Sequence, residues 1–132
     1  MMYYLYIAIF GAFGAVTRYW ISSAFHPDQF PYHTLLINLI GCFFLAVVVK
    51  YLTTHPKLSR NLVNGIGIGF IGSFTTFSAF SAEVTHMIAR GDDFPAACYV
   101  FASIIGGFLS AVLGFYVSSR MVRRRELREN GN

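Results

Sequence analysis

The stretch from Gly72 to Phe80 reads Gly-Ser-Phe-Thr-Thr-Phe-Ser-Ala-Phe and lies in the middle of a long apolar segment. A helix surrounded by lipid satisfies its backbone hydrogen bonds internally. A Gly-Ser pair followed by several hydroxyl side chains therefore indicates that the helix is interrupted and that the freed polar groups meet a partner. We interpret this stretch as the functional site around which the chain is organised.

The composition is that of a membrane protein. The 132 residues are 55% hydrophobic and 12% charged, with a mean hydropathy of +0.55. This leaves too few charges to cover a soluble domain of that size. We find no phosphate-binding loop, cofactor motif or nucleophile with a partnered base, so the sequence does not predict an enzyme.

Four segments are long and apolar enough to cross a bilayer. They are residues 3–25, ending before His26-Pro27-Asp28, residues 33–54, closed by His55-Pro56, residues 58–89 and residues 95–119. The third, about 30 residues long, would form a straight helix of about 45 Å, which again favours an interruption. We expect an all-α integral membrane fold with four transmembrane helices and a broken third helix. The membrane domain would cover residues 1–119, followed by a basic tail at 120–132.

Basic residues predict the orientation of the chain. One side would carry eight and the opposite side Arg90 alone, so the positive-inside rule predicts both termini in the cytoplasm and a multi-pass protein of the inner membrane. We interpret the arginine-rich tail as an anchor near lipid headgroups, in preference to a nucleic-acid site or a specific anionic-lipid site. The eight are Lys50, Lys57, Arg60, Arg120, Arg123, Arg124, Arg125 and Arg128.

Four polar residues are costly where they lie: Arg18, Thr34, Asn38 and Glu83. Arg18 would cost about 2.5–3.5 kcal/mol at the centre of a lipid-facing helix, so it either snorkels to the interface or serves as a structural or vestibular charge. Asn38, one turn after Thr34 on the same face, either bridges helices or donates to a partly dehydrated anion. Glu83 is expected in a wetted vestibule, where it need not carry protons.

The predicted break offers two kinds of chemistry. Backbone carbonyls released there could hold a small monovalent cation, or could accept hydrogen bonds from Thr75 and Thr76. Phe77 and Phe80 share a helical face just beyond. A ring edge carries partial positive charge and can contact an anion weakly, although ordinary packing is the simpler interpretation of such a pair.

Three motifs together resemble the Fluc (CrcB-type) fluoride channels, and the resemblance covers all four segments. They are residues 11–19, Gly-Ala-Phe-Gly-Ala-Val-Thr-Arg-Tyr, residues 34–43, Thr-Leu-Leu-Ile-Asn-Leu-Ile-Gly-Cys-Phe, and residues 72–83, Gly-Ser-Phe-Thr-Thr-Phe-Ser-Ala-Phe-Ser-Ala-Glu. The resemblance implies passive fluoride export through a homodimer of oppositely oriented subunits. It also implies two fluoride pores and a structural sodium ion at the dimer centre.

The resemblance assigns roles to individual residues by their positions in the three motifs. The resemblance implies that Asn38, Phe77 and Phe80 line the fluoride pore, that Ser78 belongs to its polar track, and that the carbonyls of Gly72 and Thr75 bind sodium. We add Thr76 and Ser103 to the predicted pore. Ser103 enters because the fourth segment has Gly107 and Ala111 where the family often has hydroxyl residues, so the track would have to use Ser103, Ser110 or water.

Other interpretations stay open at this point. The strong basic bias opposes dual topology, so a heterodimer with an oppositely biased paralogue is an alternative to the homodimer. A small multidrug-resistance-type proton-coupled exporter would also be a four-span antiparallel dimer. It needs a membrane-embedded acid early in the chain, and the first segment has none. A purely structural or assembly subunit is the third alternative. No nucleic-acid partner is predicted.

Overall fold

The computed structural model describes residues 2–25, 30–55 and 57–129, and all regular structure within these ranges is helical. Two π-helical segments, Val48–Leu52 and Gly65–Ile71, continue the helices that precede them. The α-helices are α1 Met2–Ala24, α2 Tyr32–Val47, α3 Arg60–Asn64, α4 Gly72–Phe74, α5 Phe77–Ala89 and α6 Asp93–Glu129.

Together these elements form four apolar spans, which confirms the predicted four-helix membrane fold. The spans are Met2–Ala24, Tyr32–Leu52, Arg60–Ala89 and Asp93–Arg128. The residues expected to end the first two segments, His26, Pro27, Asp28 and Pro56, lie outside the described residues. The predicted division between 119 and 120 falls inside α6, whose 37 residues extend for about 55 Å.

The predicted break in the third helix is confirmed. Thr75 and Thr76 both have extended backbone, with φ −76°, ψ 158° and φ −147°, ψ 124°. Helix α5 starts immediately after them because the Thr76 side chain caps it, accepting a hydrogen bond from the Ala79 N–H at 3.1 Å. The third span is therefore two half-helices joined by two extended residues.

Glycines let the spans approach one another closely. A methyl group at Gly14 of α1 would overlap the Phe70 carbonyl of the third span, and one at Gly114 of α6 would overlap the Phe43 carbonyl of α2. Small residues at helix contacts are typical of membrane proteins, where close backbone packing replaces the hydrophobic effect between helices. The chain thus packs α1 against the first half of the third span and α6 against α2.

Much of the apolar surface faces outward. Large side chains on α1, α5 and α6 are more than half exposed, including Trp20, Phe77, Phe94 and Phe108. In a bilayer, such a surface contacts lipid tails or another membrane-embedded chain. The interior of the single chain is correspondingly small, and the polar residues that lie within it are the ones that call for explanation.

Candidate functional site

Asn38 closes one side of the helix break. Its Nδ2 donates to the Thr76 carbonyl at 3.0 Å, and its Oδ1 accepts from the Thr76 N–H at 2.9 Å. In an uninterrupted helix that N–H would donate to the Gly72 carbonyl. The Asn38 side chain therefore replaces the hydrogen bond that the Thr76 N–H has lost, and it bridges α2 to the break.

The remaining carbonyls of the break differ in the hydrogen bonds that they accept. Ile71 accepts hydrogen bonds from both the N–H and the Oγ1 of Thr75, at 3.0 and 2.9 Å. Ser73 accepts from Nε of Arg18 at 3.2 Å. Within residues 2–25, 30–55 and 57–129, no backbone or side-chain hydrogen bond is described to the carbonyl of Gly72, Phe74 or Thr75. Three backbone oxygens at the break are thus acceptors without a described partner.

Arg18 reaches the break from α1. The guanidinium is partly buried, and its Nε hydrogen bond to Ser73 spans 55 residues of sequence. The side chain therefore turns inward to the protein. A positive charge is thereby held beside the carbonyl oxygens of the interrupted helix.

A cavity of about 360 Å³ lies where α2, the break, α5 and α6 meet. Buried Gly41 makes room for the break here, because a methyl group at that position would overlap Cγ2 of Thr75. The walls of the cavity are mostly apolar, with a few polar groups. Six of the predicted site residues line it: Asn38, Thr75, Thr76, Phe77, Phe80 and Ser103.

Ser103 contributes an unsatisfied hydroxyl to this cavity. Its Oγ is buried and has no hydrogen-bond partner in the part of the chain that the structure describes. Buried polar atoms are nearly always paired, and an exception requires an explanation such as a bound ion or water. The Ser103 hydroxyl is therefore available to whatever occupies the cavity.

The two phenylalanines differ in their surroundings. Their ring centroids are 5.9 Å apart with an interplanar angle of 36°. The Phe77 side chain is 80% exposed in the single chain, whereas Phe80 packs against the Tyr99 ring at 5.1 Å. Phe80 is fixed by its own chain, and Phe77 projects from it.

A second polar group, which we call the mouth cluster, consists of His33, Thr34, Glu83 and Tyr99. Glu83 Oε1 accepts from Thr34 Oγ1 at 2.6 Å, and Oε2 accepts from the Tyr99 hydroxyl at 2.7 Å. Nε2 of His33 lies 3.6 Å from Oε1. Tyr99 is fully buried and links the cluster to Phe80, so the cluster continues directly from the cavity.

Most residues of the cavity and the mouth cluster were predicted from the sequence, but not all. Ser78 is exposed, bonds to the Thr76 hydroxyl at 3.2 Å and does not line the cavity. His33 and Tyr99 were not predicted. The available signals were weak: His33 immediately precedes Thr34, and Tyr99 is a hydroxyl-bearing ring within an apolar segment.

Comparison with known proteins gives consistent matches along the chain. The family model described as CrcB-like protein, Camphor Resistance (CrcB), matches residues 5–115. A Listeria monocytogenes protein named fluoride-specific ion channel FluC 2 is 43% identical over 127 residues, which cover 96% of this chain and 98% of that protein. A Bacillus cereus protein named fluoride-specific ion channel FluC 1 is 41% identical over 124 residues, covering 92% and 86%.

Proposed function

The chain belongs to the CrcB-like family, and on this premise we propose that it forms a fluoride-specific channel in the cytoplasmic membrane. The channel would let fluoride leave the cell passively and so limit its toxicity. Relatives that share more than 40% identity over most of the chain carry the name of such a channel. This favours conduction over the proton-coupled exporter and over a purely structural subunit.

One observation carries the proposal for this chain. The cavity beside the break combines apolar walls, two phenylalanine rings and a few hydrogen-bond donors. Fluoride is strongly hydrated, so a pore must replace part of its water shell with donors and positive edges. After its bond to Thr76, the Asn38 amide retains one N–H, and the Ser103 hydroxyl has no described partner.

A second copy of the chain would complete the path. The support is that Phe77 is largely exposed and that the cavity is open on the surface of the single chain. We propose an antiparallel homodimer with two fluoride pores, each including Phe77, Phe80, Asn38 and Ser103, with Thr76 and Ser78 as further hydroxyls. The rest of the exposed apolar surface would face the lipid bilayer.

The basic bias gives a heterodimer with an oppositely biased paralogue as the alternative. Reporter tags on the terminus decide between them. Both orientations from one gene support the homodimer, and a single orientation without a paralogue contradicts the antiparallel arrangement. Neutral glutamine at Arg123 and Arg124, which lie within the tail helix, should increase the fraction of inverted copies if the homodimer forms.

We also propose a structural sodium ion at the break. The carbonyls of Gly72 and Thr75 fit this role because neither has a described hydrogen bond, and unwound backbone carbonyls are suitable sodium ligands. When bound, a sodium ion would be coordinated by these carbonyl oxygens and would hold the breaks of the two copies together. The Thr75 hydroxyl does not occupy either of these carbonyls, because it donates to the Ile71 carbonyl.

Fluoride efflux from liposomes tests the proposed function. The purified protein is reconstituted, and release is followed with a fluoride electrode and compared with chloride-loaded vesicles. Rapid fluoride release without comparable chloride release supports the channel. Efflux that requires an imposed proton gradient would favour the exporter. A well-folded dimer without any fluoride flux would contradict the homodimeric channel and direct the test to a paralogue partner.

A further inference from the structure

A carboxylate stands close to the proposed fluoride path. Glu83 follows Phe80 by one turn of α5, and the Tyr99 hydroxyl that binds it belongs to the ring on which Phe80 packs. Thr34 and Tyr99 orient the two carboxylate oxygens, but both donors are uncharged. A negative charge at the mouth of an anion path lowers the local anion concentration.

Helix α2 brings an imidazole to the same carboxylate. Nε2 of His33 is 3.6 Å from Glu83 Oε1, and the two side chains are 27% and 23% exposed. The ring of Phe25 lies alongside the imidazole, with centroids 6.2 Å apart and an interplanar angle of 28°. The imidazole is thus held near Glu83 while remaining accessible to protons from water.

We propose that His33 tunes the charge of the mouth cluster: in mild acid the imidazolium pairs with Glu83 and cancels its repulsion of fluoride. The inference rests on the proposed fluoride conduction. Histidine is the side chain that changes charge between pH 5 and 8. Acid also drives neutral hydrogen fluoride across lipid, so conduction would rise under the conditions that load a cell with fluoride.

Within the described ranges, no ion pair to Glu83 is found apart from that of His33. Nε of Arg90 lies 3.3 Å from Oδ2 of Asp92, and the Phe25 ring beside His33, just after α1, is uncharged. Among the described residues, His33 is the one basic side chain within 4.0 Å of Glu83. The further titratable groups on α5, α6 and their connecting turn are His86, Arg90, Asp92, Asp93 and Tyr99.

Fluoride currents across planar bilayers test the proposal, with both compartments at the same pH between about 5.5 and 8. Compensating one charge at about 6–10 Å in water should raise wild-type conductance about twofold to threefold at the acid end. His33→Gln should conduct at the wild-type alkaline level throughout, and His33→Arg at the acid level throughout. His86→Gln, a matched control one turn after Glu83, should keep the wild-type profile.

The outcomes separate this inference from the function on which it rests. Wild-type conductance that does not vary with pH, or a His33→Gln profile that matches the wild type, overturns the role of His33 while fluoride conduction stands. Absence of fluoride current at every pH overturns both. A general loss of stability is identified by size-exclusion chromatography, and His33→Arg provides a second test should His33→Gln fail to form dimers.

Discussion

The Asn38 side chain and the Thr76 backbone exchange two hydrogen bonds across the helix break, at 3.0 and 2.9 Å. An amide can do this because it carries a donor and an acceptor on one planar group. The same group keeps a second N–H, which can serve an anion in the cavity. Bridging helices and donating to an anion, the two roles considered for Asn38, are therefore compatible in one side chain.

Asn38→Asp should abolish fluoride flux and weaken the fold. The carboxylate loses the hydrogen bond to the Thr76 carbonyl and sets two acceptors against each other, at a cost of about 0.5–1.5 kcal/mol for the lost bond, and its charge repels the anion. Efflux assays and thermal unfolding measure the two effects. Asn61→Asp, the same exchange in α3 away from the cavity, serves as the control. Normal flux in Asn38→Asp would contradict the assignment.

Ser103→Ala should lower fluoride flux without lowering stability. The hydroxyl has no described partner, so its removal breaks no intramolecular hydrogen bond and relieves the desolvation of a buried polar group. Ser119→Ala on the same helix is the control, because its hydroxyl donates to the Phe115 carbonyl within α6. If Ser103→Ala loses stability in proportion to flux, the hydroxyl is a structural group and not a pore group.

Phe77→Ile and Phe80→Ile should separate conduction from folding. Phe77 is 80% exposed in the single chain, so its replacement should reduce flux with little effect on unfolding of the subunit. Phe80 packs on Tyr99, and its replacement should reduce both flux and stability. Phe108→Ile, on the exposed face of α6, provides the control for a lipid-facing ring. Full flux in Phe77→Ile would remove that ring from the path.

Gly41→Ala should disturb the break itself. The added methyl group would overlap Cγ2 of Thr75, and overpacking of this kind costs about 1–3 kcal/mol. We expect reduced thermal stability and reduced flux together. Gly107→Ala is a suitable comparison, because its methyl group would meet Cys42 Sγ at an ordinary 3.5 Å. Equal behaviour of the two variants would show that the approach of α2 to Thr75 is not critical.

Sodium should stabilise the assembled protein. If the carbonyls of Gly72 and Thr75 bind the ion in the folded state only, thermal stability rises with sodium concentration and saturates. Melting in sodium chloride is compared with melting in choline chloride at equal ionic strength, which separates a bound ion from screening. Identical melting in both salts would contradict the sodium site.

The spans and the break could be predicted because they depend on local composition. Hydropathy identifies the four apolar segments, and the hydroxyl run from Ser73 to Ser78 signals the interruption. The mouth cluster could not be predicted in the same way. It depends on the register of α2 against α5 and α6, which brings His33 and Tyr99 to one carboxylate.

The π-helical segment Gly65–Ile71 was also missed, because a single widened turn changes the hydrophobic pattern very little. The direction of the Arg18 side chain could not be predicted, for a related reason. A long side chain near the end of a span can turn toward water or protein, and the Ser73 carbonyl that it binds became available only through the break.

The Asn38 contact also bears on the order in which the chain enters the membrane. The Thr76 N–H cannot lie unpaired in hydrocarbon, and its partner belongs to α2, which the ribosome completes first. The third span can therefore pack against the Asn38 amide of α2, which is already in the bilayer. A defect at Asn38 should act during biosynthesis as well, by leaving newly made chains exposed to quality-control proteases.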